Sequence, residues 1–301
     1  MEIKKILFPT DFSRAANQAL PHALKIAQKY EAAINVLHVA TPYSDDPNAP
    51  GYQQLDEGNF KEYIEKSMGE IYQAVESSQK VTTEVVREVA PATGILDFIE
   101  EKGIDLTVMG THGHSALAHF FLGSVAERVV RHAPCPVLTV AQDRKEYRNN
   151  PNYQNIVVAF DFSEHSKQAA REARDMATQY GARLQALYVV EQEVHPAFYL
   201  KWRESIAREL PQIAEQAQES LRSTLGEEGF QDLDVHVKIG DGKAHAEISK
   251  FARANQVDLI VMGTHGLSGL DRMLLGSTTE RVVRIASCPV LTFKLDESEP
   301  A

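Results

Sequence analysis

Short apolar runs and amphipathic stretches alternate along the chain, and the whole pattern occurs twice. The segments "IKKILFP" and "NIVVAF" are apolar and bounded by turn residues, which is typical of strands buried in a sheet. A serine follows each run, and Ser13 and Ser163 are favourable N-caps for helices. The helix after Ser13 is predicted to bury one face, made of Ala16, Ala19, Leu20, Ala23, Leu24 and Ala27.

Four more strands are predicted in each half, separated by helical patterns. They are "INVLHVA", "VTTEVV", "DLTVM" and "CPVLTV" in the first half, and "RLQALYVV", "LDVHVKI", "DLIVM" and "CPVLTF" in the second. Alternating strands and helices with apolar strands predict a parallel sheet covered on both faces. Because crossovers between parallel strands are right-handed, the predicted fold class is α/β with a doubly wound sheet in each half.

The two halves are copies of one unit. Aligning Asp105 to Thr139 with Asp258 to Thr292 gives 24 identical residues in 35 positions. A repeat this long indicates duplicated domains and not a solenoid. The predicted organisation is a domain at 1–141, a polar linker at 142–154, a second domain at 155–294 and an acidic tail at 295–301.

Composition narrows the class of protein. The 301 residues are 43% hydrophobic and 24% charged, as in globular proteins, and the net charge of -11 argues against a nucleic-acid surface. No apolar run approaches the roughly 20 residues that a membrane span needs. The two cysteines, Cys135 and Cys288, occupy equivalent places in the halves, and two lone thiols favour a reducing, cytoplasmic location.

Two glycine-rich segments carry the candidate chemistry. "GTHGHSALAHFFLGS" begins at Gly110, and "GTHGLSGLDRMLLGS" begins at Gly263. Each follows a predicted strand, and each ends in Gly-Ser before a helix. Glycine permits positive φ and lets backbone N–H groups approach an anion, and a helix N-terminus favours phosphate. The segments therefore predict a phosphate site at the carboxyl edge of each sheet; the alternative is that the glycines only form tight turns.

These motifs resemble those of the universal stress protein family. The resemblance rests on "VMGTHG", nine residues, "GS" and then "CPVL", together with "PTDFS" near the start, and it covers 1–141 and 155–294. It implies two Rossmann-like domains in tandem, each with five parallel strands in the order 3-2-1-4-5. It also implies that each domain binds ATP, with ADP or AMP as alternatives, and that Mg²⁺ accompanies the phosphates.

The resemblance also implies which residues bind the nucleotide. Asp11 and Asp161 would reach ribose or a phosphate-bound Mg²⁺, and the backbones of Val39 and Val189 would bind adenine. In the first half the predicted residues are Pro9, Thr10, Asp11, Val39, Met109, Gly110, His112, Gly113, Gly123, Ser124 and Val125. In the second half they are Ala159, Phe160, Asp161, Val189, Met262, Gly263, His265, Gly266, Gly276, Ser277 and Thr278. The family's Gly-x-Pro before the third helix is not intact, since the chain has Val89-Ala90-Pro91 and Gly242-Lys243-Ala244.

Binding is favoured over catalysis. Neither glycine-rich segment contains a lysine, and "GDGKAH" at 240–245 lacks the spacing and hydroxyl of a Walker motif. Without a shared cation the segments are poorly equipped to stabilise the charge that develops in phosphoryl transfer. Two alternatives remain open: a slow Mg²⁺-dependent ATPase, and a non-catalytic scaffold for protein interactions with structural glycine loops. A protein-bound metal is not expected, because only His112 of the histidines at 112, 114, 119 and 132 recurs in the second half.

The expected partners are an adenine nucleotide and an unidentified protein, with neither nucleic acid nor membrane. The closing strands, Val137-Val140 and Val290-Phe293, are apolar, and pairing between them would make an intrachain pseudo-dimer, with a further homodimer as an alternative. The two nucleotide sites are expected to be unequal, because Thr10 in the first half corresponds to Phe160 in the second.

Overall fold

A computed structural model of the chain describes residues 1–41, 62, 65–69, 80–111, 122–141, 149–191, 199–230, 233–240, 243–266 and 275–294. The chain divides into two compact units, Glu2–Asp143 (the first unit) and Arg144–Ala301 (the second unit). Among the described residues, no helix is long and apolar enough to cross a membrane.

The first unit is a parallel sheet with helices between the strands. Its elements are β1 (Lys5–Pro9), α1 (Arg14–Asn17), α2 (Leu20–Tyr30), β2 (Ala33–Ala40), β3 (Val81–Arg87), α3 (Pro91–Lys102), β4 (Leu106–Gly110), α4 (Ser124–His132) and β5 (Val137–Val140). Within the unit the strands lie in the order β3-β2-β1-β4-β5. Residue Ile6 of β1 pairs with Ile34 of β2 on one side and with Leu106 of β4 on the other, all in parallel.

The second unit repeats this topology. Its elements are β6 (Asn155–Phe160), α5 (Glu164–Tyr180), β7 (Arg183–Glu191), α6 (Tyr199–Glu227), β8 (Asp234–Gly240), α7 (Ala244–Ala254), β9 (Leu259–Gly263), α8 (Ser277–Ile285) and β10 (Val290–Phe293). The strands lie in the order β8-β7-β6-β9-β10. Each unit therefore has the predicted α/β fold with five parallel strands in the order 3-2-1-4-5.

The apolar pattern accounts for the core of each sheet. Ile6, Leu7 and Phe8 of β1 are fully buried, because helices cover both faces of a parallel sheet. The predicted N-caps are confirmed: Ser13 Oγ accepts the N–H of Ala16, and Ser163 Oγ accepts the N–H of Ser166. The single helix predicted after Ser13 was wrong in one respect, since α1 ends at Asn17 and α2 begins at Leu20.

An aspartate fixes the start of the first strand in each unit. Asp258 is fully buried, and its Oδ2 accepts the N–H groups of Gln154 and Asn155 at 2.9 and 3.0 Å. Asp105 does the same for Lys4 and Lys5, at 2.8 Å each. These bonds hold the beginning of β1 against the turn before β4, and of β6 against the turn before β9. The carboxyl ends of the same strands are thereby set side by side.

Candidate functional site

The carboxyl edge of the sheet in the first unit forms a cleft of about 400 Å³ (the first cleft). The ends of β1, β2 and β4 and the starts of α3 and α4 enclose it. Nine predicted residues line it: Pro9, Thr10, Asp11, Val39, Met109, Gly110, Gly123, Ser124 and Val125. The other two predicted residues, His112 and Gly113, lie outside the described residues.

The equivalent edge of the second unit forms a cleft of about 480 Å³ (the second cleft). All eleven predicted residues line it: Ala159, Phe160, Asp161, Val189, Met262, Gly263, His265, Gly266, Gly276, Ser277 and Thr278. The duplicated sequence thus produces two clefts of the same construction.

An aspartate at the end of each first strand is held by the turn that follows it. Asp161 Oδ1 accepts hydrogen bonds from the backbone N–H of Ser163 at 3.1 Å and from its hydroxyl at 2.5 Å. Asp11 Oδ1 likewise accepts the N–H of Ser13 at 3.0 Å. The residue between them has left-handed backbone in both units, with φ of 63° at Phe12 and 68° at Phe162. Such strained backbone is uncommon for a bulky residue and clusters at functional sites.

The glycines at the ends of β4 and β9 have a packing role that the sequence analysis did not include. Glycine permits positive φ, but none of the described loop glycines has it. The reason for glycine is the close approach of the first helix to the strand end. A Cβ on Gly110 would lie 2.9 Å from the carbonyl oxygen of Ala15, and one on Gly263 would lie 2.7 Å from Cβ of His165.

The fourth helix of each unit begins at its cleft with backbone amides. Gly123 is the N-cap of α4 and Gly276 is the N-cap of α8, and neither supplies a side-chain cap. Their own N–H groups bond back to Thr111 and Thr264 at 2.8 Å, which ties the helix start to the preceding strand. The next residues, from Ser124 or Ser277 onward, line the cleft. Amides and dipole at a helix N-terminus attract an anion such as phosphate.

The difference at the end of the first strand does not close the second cleft. Phe160 is 3% exposed and packs edge-on against Phe162, with ring centroids 5.4 Å apart, so its bulk lies mainly in the core. The hydroxyl of Thr10 accepts the N–H of Phe12 at 2.9 Å and is therefore engaged in the turn.

Two histidines lie together beside the second cleft. The rings of His165 and His265 have centroids 5.2 Å apart, and His265 Nδ1 lies 2.9 Å from the hydroxyl of Thr264. Burial lowers the pKa of His165, and the neighbouring His265 lowers it further, while Asp161 and Glu164 oppose the shift. In the part of the chain that the structure describes, no group of three or more His, Cys, Asp or Glu side chains could hold a metal ion.

Apart from Val39 and Val189, sequence reasoning missed the wall formed by the second strand and the third helix. In the first cleft these residues are Leu37, Thr41, Pro91 and Ile95, and in the second they are Leu187, Tyr188, Glu191, Ala244 and Ile248. The alternation of a strand could have found some of them, since Leu37 and Thr41 lie two residues on either side of Val39. The helix residues come from a distant segment and carry no local signal.

Comparison with known proteins identifies relatives over both units. The sequence model of the universal stress protein family matches residues 2–141 and 152–294. A universal stress protein of Mycolicibacterium smegmatis is 26% identical over 295 residues, covering 96% of each chain. One of Methanocaldococcus jannaschii is 38% identical over 146 residues, covering 48% of this chain and 85% of that protein. The crystal structure of a universal stress protein from Archaeoglobus fulgidus has a TM-score of 0.68 at 25% identity and covers 98% of this chain and 97% of its own.

Proposed function

Because the chain belongs to the universal stress protein family, with two such domains in tandem, we propose that each domain binds an ATP-type nucleotide. The protein would act in stress response or signalling through nucleotide-dependent contacts, without efficient turnover. ADP or AMP could occupy the same sites, because the clefts would recognise the shared nucleoside and first phosphate.

The repeated cleft is the observation that carries this proposal. Each cleft combines a fixed aspartate, a glycine at a strand end and uncapped amides at a helix start. Volumes of about 400 and 480 Å³ are in the range of small-molecule sites. Apolar wall residues at one end would contact the base. Backbone N–H groups at the other end would donate hydrogen bonds to the phosphates.

A magnesium ion bound with the phosphates fits this arrangement. Asp11 and Asp161 line the clefts, and carboxylate oxygens are the ligands that Mg²⁺ prefers. When bound, the ion would neutralise phosphate charge. The role of the two turns is to hold each carboxylate toward the cleft through Ser13 or Ser163.

The cleft linings support binding over hydrolysis. No lysine or arginine is among the described residues that line either cleft. Charge that develops on a transferred phosphoryl group needs such cations. We therefore expect hydrolysis, if it occurs, to be slow.

Analysis of nucleotide carried by the freshly purified protein tests the proposal. Denaturation followed by mass spectrometry should release adenine nucleotide, up to two molecules per chain. A single-turnover assay with and without Mg²⁺ then separates binding from the ATPase alternative. Rapid Mg²⁺-dependent release of phosphate would contradict the binding role, and absence of nucleotide together with no measurable affinity would favour the scaffold alternative.

A cytoplasmic location and an unidentified protein partner complete the proposal. Cys135 and Cys288 are buried and form no disulfide bond. Burial raises the pKa of the Cys135 thiol to about 11, so that it stays protonated and unreactive. Cysteines that form no disulfide bond are typical of reducing compartments.

A further inference from the structure

A phenylalanine with left-handed backbone follows the cleft aspartate in each unit. Phe12 and Phe162 have φ of 63° and 68°, a region that glycine adopts freely and bulky residues rarely do. At two other left-handed positions one of the two copies has glycine. These pairs are Glu31 with Gly181 and Gln256 with Gly103. Glycine would therefore meet the needs of the backbone at 12 and 162 as well, so the phenylalanine ring has a role of its own.

In the first unit the ring of Phe12 is held on the imidazole of His38. The two rings are stacked, with centroids 4.6 Å apart and planes inclined by 27°. His38 Nδ1 lies 2.9 Å from the carbonyl oxygen of Thr10, and because a carbonyl only accepts, Nδ1 carries the hydrogen of this bond. The Thr10 hydroxyl accepts the N–H of Phe12 at 2.9 Å. The ring and the backbone of the turn are thus both tied to the neighbouring strands.

In the second unit two aromatic residues hold the ring. Phe162 packs edge-on against Phe160 and Tyr188, with ring centroids 5.4 and 4.9 Å apart. Phe160 is buried in the core, and Tyr188 lies on β7. Because Phe160 stands where the first unit has Thr10, this turn has no equivalent hydroxyl to accept the N–H of Phe162. The ring contacts therefore carry a larger share of the restraint in the second unit.

Holding the ring fixes the carboxylate that precedes it. Asp161 Oδ1 accepts the N–H of Ser163 at 3.1 Å, and Asp11 Oδ1 accepts the N–H of Ser13 at 3.0 Å. Each bond spans the phenylalanine, so it forms only while that residue keeps its left-handed conformation. The other oxygen of Asp161, Oδ2, then lies against Gly266, another residue that lines the second cleft. A ring released from its neighbours would let the turn adopt other conformations, and the carboxylate would turn with it.

We propose that Phe12 and Phe162 are positioning residues, which hold the turn after the first strand so that the carboxylate of Asp11 or Asp161 faces its cleft. The inference rests on the proposed nucleotide function and adds the group that makes each aspartate an effective contact for ribose or for phosphate-bound Mg²⁺. Neither phenylalanine is among the described residues that line the clefts. The ring therefore acts through the aspartate and not on the nucleotide.

Calorimetric titration of the full, nucleotide-stripped chain with ATP and Mg²⁺ tests this inference. Phe162→Gly removes the ring but leaves the turn conformation accessible, because glycine adopts positive φ freely. We expect ATP affinity at the second site to fall about tenfold, equivalent to about 1.4 kcal/mol, while the first site serves as an internal reference. Phe12→Gly should cause a smaller loss at the first site, because Thr10 still holds the turn there.

A double-mutant cycle with Asp161→Ala separates positioning from a general effect on structure. If Phe162 acts through Asp161, Phe162→Gly should change the affinity little once the carboxylate has been removed, whereas independent effects would multiply. The same cycle with Phe12→Gly and Asp11→Ala at the first site keeps the test available should a second-unit variant fail to fold.

Glu31→Gly is the matched control for these variants. It also places glycine at a left-handed position, but at the end of α2 and not beside a cleft aspartate. Its affinity for ATP should equal that of the wild type at both sites. A loss of affinity as large as that of Phe162→Gly would mean that glycine at any left-handed position weakens binding, which overturns the positioning role.

The remaining outcomes distinguish this inference from the proposed function. Unchanged affinity in both phenylalanine variants, unchanged affinity in Asp161→Ala, or independent effects in the cycle overturns the positioning role and leaves nucleotide binding intact. Failure of the wild-type chain to bind ATP overturns both.

Discussion

The carboxylate of Asp161 occupies the space that a side chain at position 266 would need, so the two residues fit together only because residue 266 is glycine. Oδ2 of Asp161 is the atom that a Cβ on Gly266 would overlap. Because Ser163 holds the other carboxylate oxygen, Asp161 cannot turn away freely. The glycine loop and the aspartate of the second cleft therefore form one structural unit.

Gly266→Val should consequently weaken nucleotide binding at the second site at least tenfold. The added side chain would displace the Asp161 carboxylate and fill the entrance to the cleft, which costs about 1.4 kcal/mol or more of binding free energy. Since Gly266 is partly exposed, we expect the melting temperature to change little.

Titration of the variant with ATP measures this effect, and Gly226→Val is the matched control. A Cβ at Gly226 would meet no atom within 4 Å, so that this variant should bind as the wild type does. Unchanged affinity of Gly266→Val at both sites would contradict the phosphate role of the loop. The first-unit equivalent, Gly113, lies outside the described residues.

Gly263→Ala should instead destabilise the fold. Its Cβ would lie 2.7 Å from Cβ of His165 and 3.1 Å from the His165 backbone, and backbone cannot move aside as a side-chain end can. Overpacking of this kind costs about 1–3 kcal/mol. Urea denaturation of the two variants Gly263→Ala and Gly266→Ala measures this cost. The loss of unfolding free energy should be larger for Gly263→Ala. The reverse order would mean that the close approach of α5 is not the reason for glycine at position 263.

Sequence reasoning succeeded where the signal is local or repeated. The doubly wound sheets, the serine N-caps and the cleft-lining glycines follow from patterns that occur twice in the chain, and the strand order follows from the family resemblance that those motifs carry. It failed where the cause is a contact between distant segments. The glycine at 263 was attributed to a phosphate-binding loop alone, because the approach of His165 cannot be seen in the sequence. Glu191 was missed for the same reason, since only folding brings it to the N–H of Ala244.

Histidine protonation should make the chain less stable in mild acid. Burial and His265 lower the pKa of His165 below its ordinary value of 6.5, and burial and Arg281 lower that of His245. The unfolded chain therefore binds more protons than the folded chain around and below pH 6.5. The contribution of each group to stability is fully present above that pH and is lost as the pH falls below it.

Comparison of His165→Ala with the wild type isolates one of these groups. Ala15 occupies the equivalent position in the first unit, so alanine suits this helix. The unfolding free energy of each protein is measured by denaturation at about pH 7.5 and at about pH 5.5. The loss on lowering the pH should be smaller for His165→Ala than for the wild type. An identical pH dependence in the two proteins would show that His165 does not contribute.

The two sites should differ measurably in their affinity for ATP, and the cause lies in the walls of the clefts. Phe160 is buried against Phe162 and leaves the second cleft open, so both sites should fill. The second cleft carries Glu191 where the first carries Thr41, and one altered polar contact is worth about 0.5–1.5 kcal/mol. Up to about a tenfold difference in dissociation constant follows.

Titration of the stripped protein should therefore require two affinities, and Glu191→Thr should bring them closer together. Two identical independent sites in the wild type would refute this prediction, whereas a second site that never fills would point to Phe160 as the obstruction.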